Sequence, residues 1–420
     1  MSLNLLGSTS RVETPILFVT IGKYTFGTYS KGVNFDSLTR TLFPNQVIYP
    51  NYMKSLSIEK INGTVNTYTI NMLYAIRNGD DPNLFEKVFS SVSNTRLIKI
   101  TYGDASIPSS IFKDEEAIIT RITNQFNIST STISYTIYCT SKALSLNAGT
   151  FPFGKVHMKP SEKIFELLKD TSTGLQDIFY GMRDLQLIKR KGLIAGDDKE
   201  VDIEAKTNIS ILEYLQYLVN CMTPSDNTSE QDIDKGMYML NVVDDVSQEF
   251  GGPYFEVRKV VHNPDQVTKV DLYEMDIGTL SKDMIRDFSI DSNETYSILY
   301  NYSRDIQQPQ YIYRIDNNGE IDYSYSPAVS NSSTLYKTTQ SDKTWWTNMT
   351  QYPISCSVTL KGLLRPAILL TYVKLNVYFY GKKHIASGLY IVTRESDYID
   401  ESGSKTTLKL TRIGSVDYDN

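Results

Sequence analysis

The sequence predicts an α+β fold, mainly β, built as two similar antiparallel β-barrel modules flanking mixed α/β inserts. Three observations predict it. First, residues 355–414 read as strands joined by polar turns, with Thr406, Leu408 and Leu410 on one face and Thr407, Lys409 and Thr411 on the other. That two-residue period belongs to an antiparallel strand with one wet face. Second, the pattern occurs twice. The series Ile98 to Gly103, Ala117 to Arg121 and Ile133 to Cys139 resembles Val377 to Gly381, Tyr390 to Arg394 and Thr406 to Arg412, with Tyr102-Gly103 matched to Tyr380-Gly381. Laying Thr120-Arg121 on Thr393-Arg394 without a gap puts Tyr135 on Leu408 and Ile137 on Leu410. Third, between the copies the apolar spacing changes to a helical period from Pro160 onward.

Taken in order, residues 15–29 alternate loosely and are expected to pair as a hairpin across Gly22-Lys23. Leu56 and Ile58 then alternate with Ser55, Ser57 and Glu59, and Tyr68, Ile70, Met72, Tyr74 and Ile76 share one face. Asn62-Gly63 supplies a turn between these two strands. A short helix is expected over 82–90, through Leu84, Phe85, Val88 and Phe89, and strands continue to about Leu144. Ser161 is the expected N-cap of a helix carrying Ile164, Leu167 and Leu168. Asn208 is the expected cap of a second, with Ile211, Leu212, Leu215, Leu218 and Val219 spaced for packing and Cys221 at its end. Between them Lys189-Arg190-Lys191-Gly192 is a short basic run that reads as a solvated loop, with an anion contact as the alternative. Strands return at 238–243, 252–260, 295–302 and 311–315, then at 355–360, 372–380, 388–394 and 405–412. Trp345-Trp346 lies in the polar stretch 317–349 and is either a buried anchor or an exposed contact. The chain thus divides into a first barrel at 1–150, an α/β insert at 151–250, a β-rich insert with a polar loop at 251–350 and the closing strands of a second barrel at 351–420. Tyr135, Ile137, Leu408 and Leu410 are expected inside, with Thr136, Thr407 and Lys409 facing water or a neighbour.

Composition narrows the function classes. A chain of 420 residues is long enough for several domains with ample core. Its 42 Lys and Arg stand against 48 Asp and Glu, a net charge of -6 that implies no strong attraction to nucleic acid. Thirty tyrosines suit strands more than helix bundles. Cys139, Cys221 and Cys356 are scattered, which argues against a disulfide framework and a structural zinc site. The N-terminus lacks a basic start followed by an apolar run, so neither a signal peptide nor a membrane-inserted segment is expected.

Catalytic templates fail one after another. His157, His262 and His384 have no second histidine at metal-ligand spacing, and no Gly-x-Ser-x-Gly elbow, phosphate loop or dinucleotide fingerprint is present. The cysteines lie in or beside strands or at a helix end, not at the helix start a thiol nucleophile needs. The acidic pairs Asp197-Asp198, Asp244-Asp245 and Glu115-Glu116 read as solvated loop charges. Catalytic, cofactor-binding and metal residues are accordingly expected to be none, and the chain is expected not to be an enzyme.

One resemblance adds to this reading. Ser387-Gly388-Leu389-Tyr390-Ile391-Val392-Thr393, a turn, then Lys405-Thr406-Thr407-Leu408-Lys409-Leu410-Thr411-Arg412 resembles the closing strands of phage tail baseplate hub proteins. That family includes the T-even phage hub, the late-control proteins of Mu- and P2-like phages and the N-terminal part of type VI secretion spike proteins. The stretch ending in Tyr102-Gly103, with Ile118-Ile119-Thr120-Arg121-Ile122, resembles their first barrel. The histidine that members often carry after the Gly strand is replaced near Ser396-Asp397-Tyr398, and the chain stops at Asn420 without a spike or lysozyme-like domain, so the spike is expected on a separate chain. The resemblance implies a homotrimeric ring in the virion's tail baseplate, three chains giving six barrels around a channel. Its implied partners are a tail tube or distal tail protein, a central spike and a tape measure protein, with DNA passing through unheld. Competing functions are a tail-associated cell-wall hydrolase, with a carboxylate pair in the insert, and a glycan-binding tail module, with Tyr or Trp345 and Trp346 stacked on sugars.

Overall fold

The computed structural model describes residues 3–4, 15–29, 40–50, 52–77, 80–91, 96–105, 111–222, 225, 237–244, 250–260, 272–277, 285–292, 314–315, 321–322, 354–362, 369–384 and 386–415. The expected strand at 295–302, most of that at 311–315 and the Trp345-Trp346 pair lie outside them. The chain is mainly β, with most of its described helices in its middle.

Strands β1 (Pro15–Ile21) and β2 (Tyr24–Tyr29) form the expected hairpin, with Gly22 at φ +58° in its turn. Next come β3 (Met53–Ile61), β4 (Thr67–Ala75), helix α1 (Leu84–Ser91), β5 (Leu97–Asp104), β6 (Phe112–Asn127) and β7 (Thr132–Ser141). The middle of the chain supplies α2 (Pro160–Lys169), α3 (Leu185–Lys191), α4 (Ile211–Cys221) and the antiparallel pair β8 (Met237–Val243) and β9 (Tyr254–Val260). Then follow β10 (Leu272–Ile277), β11 (Ile285–Ser292), β12 (Ile354–Lys361), β13 (Tyr372–Phe379), β14 (Gly388–Asp400) and β15 (Gly403–Ser415).

Five strands in each half repeat one design. In the first half the hydrogen-bonded order is β3-β4-β7-β6-β5, and in the second it is β11-β12-β15-β14-β13, so chain order and pairing are the same. The registers also match. Ile70 lies between Leu56 and Ile137 as Val358 lies between Phe288 and Leu408, and Ile98 faces Ala117 as Val373 faces Tyr390. Even the irregularity repeats. A bulge sits between Ile119 and Arg121 in one copy and between Val392 and Arg394 in the other, leaving Thr120 and Thr393 unpaired. Each threonine hydroxyl donates to the carbonyl of the residue facing the following arginine, Thr120 to Tyr138 at 3.0 Å and Thr393 to Lys409 at 3.3 Å. A bulge re-aims the strand beyond it, which is how one long strand serves two neighbours.

The expected match of Thr120-Arg121 with Thr393-Arg394 therefore holds, and two other matches do not. The first hairpin turns over four residues between Asn127 and Thr132, the second over two between Asp400 and Gly403. Leu408 is thus equivalent to Ile137, not Tyr135, and Leu410 to Cys139. A slip of two residues keeps every side chain on its face, so Tyr135, Ile137, Leu408 and Leu410 are all buried as expected while Lys409 is exposed. Tyr102-Gly103 is not equivalent to Tyr380-Gly381. The former ends β5 within the sheet, and the latter is the turn after β13. Among the described residues the sheet is one branched sixteen-stranded path that does not close on itself.

Apolar packing forms separate cores. That of the first module centres on Tyr68, Ile70, Tyr102 and Ile137 under Phe85 of α1, and that of the second on Val358, Val373, Tyr390 and Leu408. A third core in the insert joins α2 and α4 to β8 and β9 through Ile164, Leu168, Leu215, Leu218, Leu240 and Phe255. The insert's helices start differently from expectation. Pro160 takes the first position of α2, where its missing N–H costs nothing, so Ser161 lies inside the helix. Its backbone N–H and hydroxyl both donate to Asp198, at 2.9 and 2.6 Å. Asn208 precedes α4 at φ +56°, while Ser210 is the N-cap in a reciprocal pair with Glu213. Lys189, Arg190 and Lys191 form the last turn of α3, stopped by Gly192 at φ +65°, and not a loop; cations suit a helix C-terminus.

Candidate assembly interface

The two modules meet along one seam. Strand β14 is split by its bulge: residues 388–391 pair with β13, and residues 394–400 swing over to pair antiparallel with residues 55–61 of β3. Polar side chains are buried here. Lys60 Nζ lies 3.1 Å from Glu395 Oε1 and 3.0 Å from Asp397 Oδ2, and Thr406 Oγ1 also donates to Asp397. Glu115 is close behind, accepting from Tyr102 Oη at 2.8 Å. Burial alone would lower the Lys60 pKa, but the charges of Asp397, Glu395 and Glu115 outweigh it and hold the ammonium above the ordinary lysine value. At the seam's rim Arg394 Nη2 donates to Glu59 Oε1 at 2.6 Å.

The corresponding positions elsewhere have no strand against them among the described residues. Among the described residues β6 beyond its bulge pairs only with β7, so residues 121–127 have an open edge, and β11 pairs only with β12, leaving its other edge open. Phe126 is 60 % exposed where its counterpart Ile399 is 1 %, and Ile290 is 37 % exposed where its counterpart Ile58 is 0 %. Arg121, counterpart of Arg394, is exposed with its guanidinium 5.6 Å from the Tyr138 ring. An open strand edge with apolar side chains and no lysine or proline is a template for another strand.

The residues tested for chemistry lie apart where they are described. Cys139 and Cys356 are buried in strands, and burial pushes the Cys139 thiol up to about 12 and raises that of Cys356. His157 sits on the surface 2.9 Å from Asp202, and His384 packs edge-on against Phe379. His262 lies outside the described residues, among which no group of three or more His, Cys, Asp or Glu side chains could hold a metal ion. Among the described residues no helix is long and apolar enough to cross a membrane. The acidic pairs are not simply solvated. Asp198, Asp244 and Glu115 are buried, because each accepts a hydroxyl, from Ser161, Ser141 and Tyr102 respectively. Sequence reasoning missed the seam altogether; the alternation of Glu395, Asp397 and Ile399 on one face of β14 was its trace.

No protein-family model and no curated protein matches the chain. Solved structures do. The 43 kDa tail protein of prophage MuSo2 from Shewanella oneidensis is similar at TM-score 0.49 and 10% identity, over 94% of this chain and 96% of that one. A tail protein from Neisseria meningitidis MC58 is similar at TM-score 0.44 and 7% identity, over 95% and 96%. An Escherichia coli component of the type VI secretion system is similar at TM-score 0.43 and 7% identity, over 87% and 75%. The similar chains are phage tail and type VI secretion proteins.

Proposed function

We propose that this chain is a structural hub of a phage tail baseplate. In this reading it forms a homotrimeric, quasi-six-fold ring that joins a six-fold tail tube or distal tail protein to a three-fold central spike. The observation that carries it is the repeat, in which one chain holds two five-stranded modules with the same strand order, register and bulge. A protein that must present six similar contacts from three copies needs such a duplication, and a closed ring is the simplest way to satisfy both symmetries. The sequence resemblance of Gly388 to Thr393 and Lys405 to Arg412 to hub proteins points the same way.

The proposed layout is a first barrel at 1–150, inserts at 151–250 and 251–350, and barrel-closing strands at 351–420. The protein performs no turnover and holds no cofactor. It resides in the virion tail, next to a tape measure protein, and lets DNA pass without tight binding. The test is the mass of the purified chain in solution together with the symmetry of its particles by electron microscopy. Rings of three chains with six similar lobes are expected, and a persistent monomer at high concentration overturns the reading.

A further inference from the structure

The seam within one chain specifies a second seam between chains. Through the repeat, Glu59, Ile58 and Leu56 of β3 correspond to Asp291, Ile290 and Phe288 of β11, and Arg394, Asp397 and Ile399 of β14 correspond to Arg121, Asn124 and Phe126 of β6. Within the chain, β3 and the end of β14 cover each other. Their counterparts, the edge of β11 and the end of β6, have no strand against them among the described residues.

We infer that residues 121–127 of one copy pair antiparallel with residues 287–292 of a second copy, head to tail. Transferring the register of the internal seam places Thr123 opposite Asp291, Asn124 opposite Ile290, Gln125 opposite Ser289 and Phe126 opposite Phe288. The chemistry of the two edges agrees with this register. Arg394 reaches diagonally to Glu59 in the internal seam, and the same diagonal brings the exposed Arg121 to the exposed Asp291. The buried cation is dispensed with consistently on both sides. Ile122 and Asn124 replace Glu395 and Asp397, and Ser292 stands at the position of Lys60, so the buried ion cluster is absent from both edges together. Phe126, Ile122 and Ile290 leave water on pairing. Because the two edges differ, the contact is heterologous and propagates in one direction, as a ring requires.

This inference rests on the reading that copies of the chain assemble, and the test separates the two. Sedimentation velocity over a concentration series is run on the full chain and on Arg121→Glu, Asp291→Arg and the double variant, with circular dichroism as the check on folding. Each single reversal is expected to weaken assembly by roughly tenfold or more, since it sets like charges together, and the double variant is expected to restore it. Phe126→Asp, on the same edge, is expected to abolish assembly. If the wild type and all variants form equally stable trimers, the ring stands and this seam is wrong. A mass limited to dimers means that like edges have paired, which also overturns it. A wild-type chain that stays monomeric overturns both.

Discussion

Lys60→Met keeps the side chain's length while leaving Glu395 and Asp397 buried without their cation. Removing one partner of a buried charge cluster is expected to cost about 3–5 kcal/mol, measurable by urea unfolding. The pH dependence has a definite sign. The folded pKa of Lys60 is raised, so its contribution is fully present below the unfolded lysine value of about 10.4 and is lost as pH rises through the folded value. The penalty of Lys60→Met should thus be equal at about pH 7 and about pH 9 and shrink only in strongly alkaline solution. At the other extreme of polarity, Leu410 is fully buried between Cys356 and Val392. Leu410→Ala should cost about 2–5 kcal/mol, and a loss below about 0.5 kcal/mol would show the strand to be inside out.

Among the elements, the hairpins differ only at their tips. Deleting Ser129 and Thr130 from the four-residue turn of β6 and β7 gives it the length of the turn between β14 and β15. The deleted residues are exposed, and shortening a flexible connection by two residues changes its closure entropy little. A change in unfolding free energy under about 1 kcal/mol is expected; a larger one would mean that the longer turn has a structural role in the monomer. This difference also explains how legible the strands were. Period-two alternation gives the facing of Tyr135, Ile137, Leu408 and Leu410, because facing depends only on parity. It does not give register, which here depends on turn length. The helix caps were legible but misplaced: Ser210 with Glu213 is a reciprocal capping pair in plain view, whereas Asp198 serves α2 from far along the chain, through a contact no local pattern encodes. The seam was the least legible part, since β3 and the end of β14 are brought together by the whole fold and buried polar residues look, in sequence, like solvated ones.

For the whole molecule, charge decides whether the proposed ring would hold DNA. Each phosphate neutralised by Lys or Arg strengthens DNA binding as counterions leave, and the compact basic run lies at the end of α3 in the insert core's periphery, with Lys189 near the Phe165 ring. The proposed ring is expected to show no double-stranded DNA binding in a gel-shift assay at near-physiological salt. Micromolar, salt-sensitive binding lost on changing Lys189, Arg190 and Lys191 to Ala would point to a nucleic-acid role. The Lys60 cluster has a further consequence for how such an assembly would come apart. Six joints would alternate between covalently continuous ones clasped by a buried ion cluster and ones between separate chains that lack such a cluster. Under mild denaturant the circle would fail at every second joint, releasing three intact, folded wedges and never half-molecules.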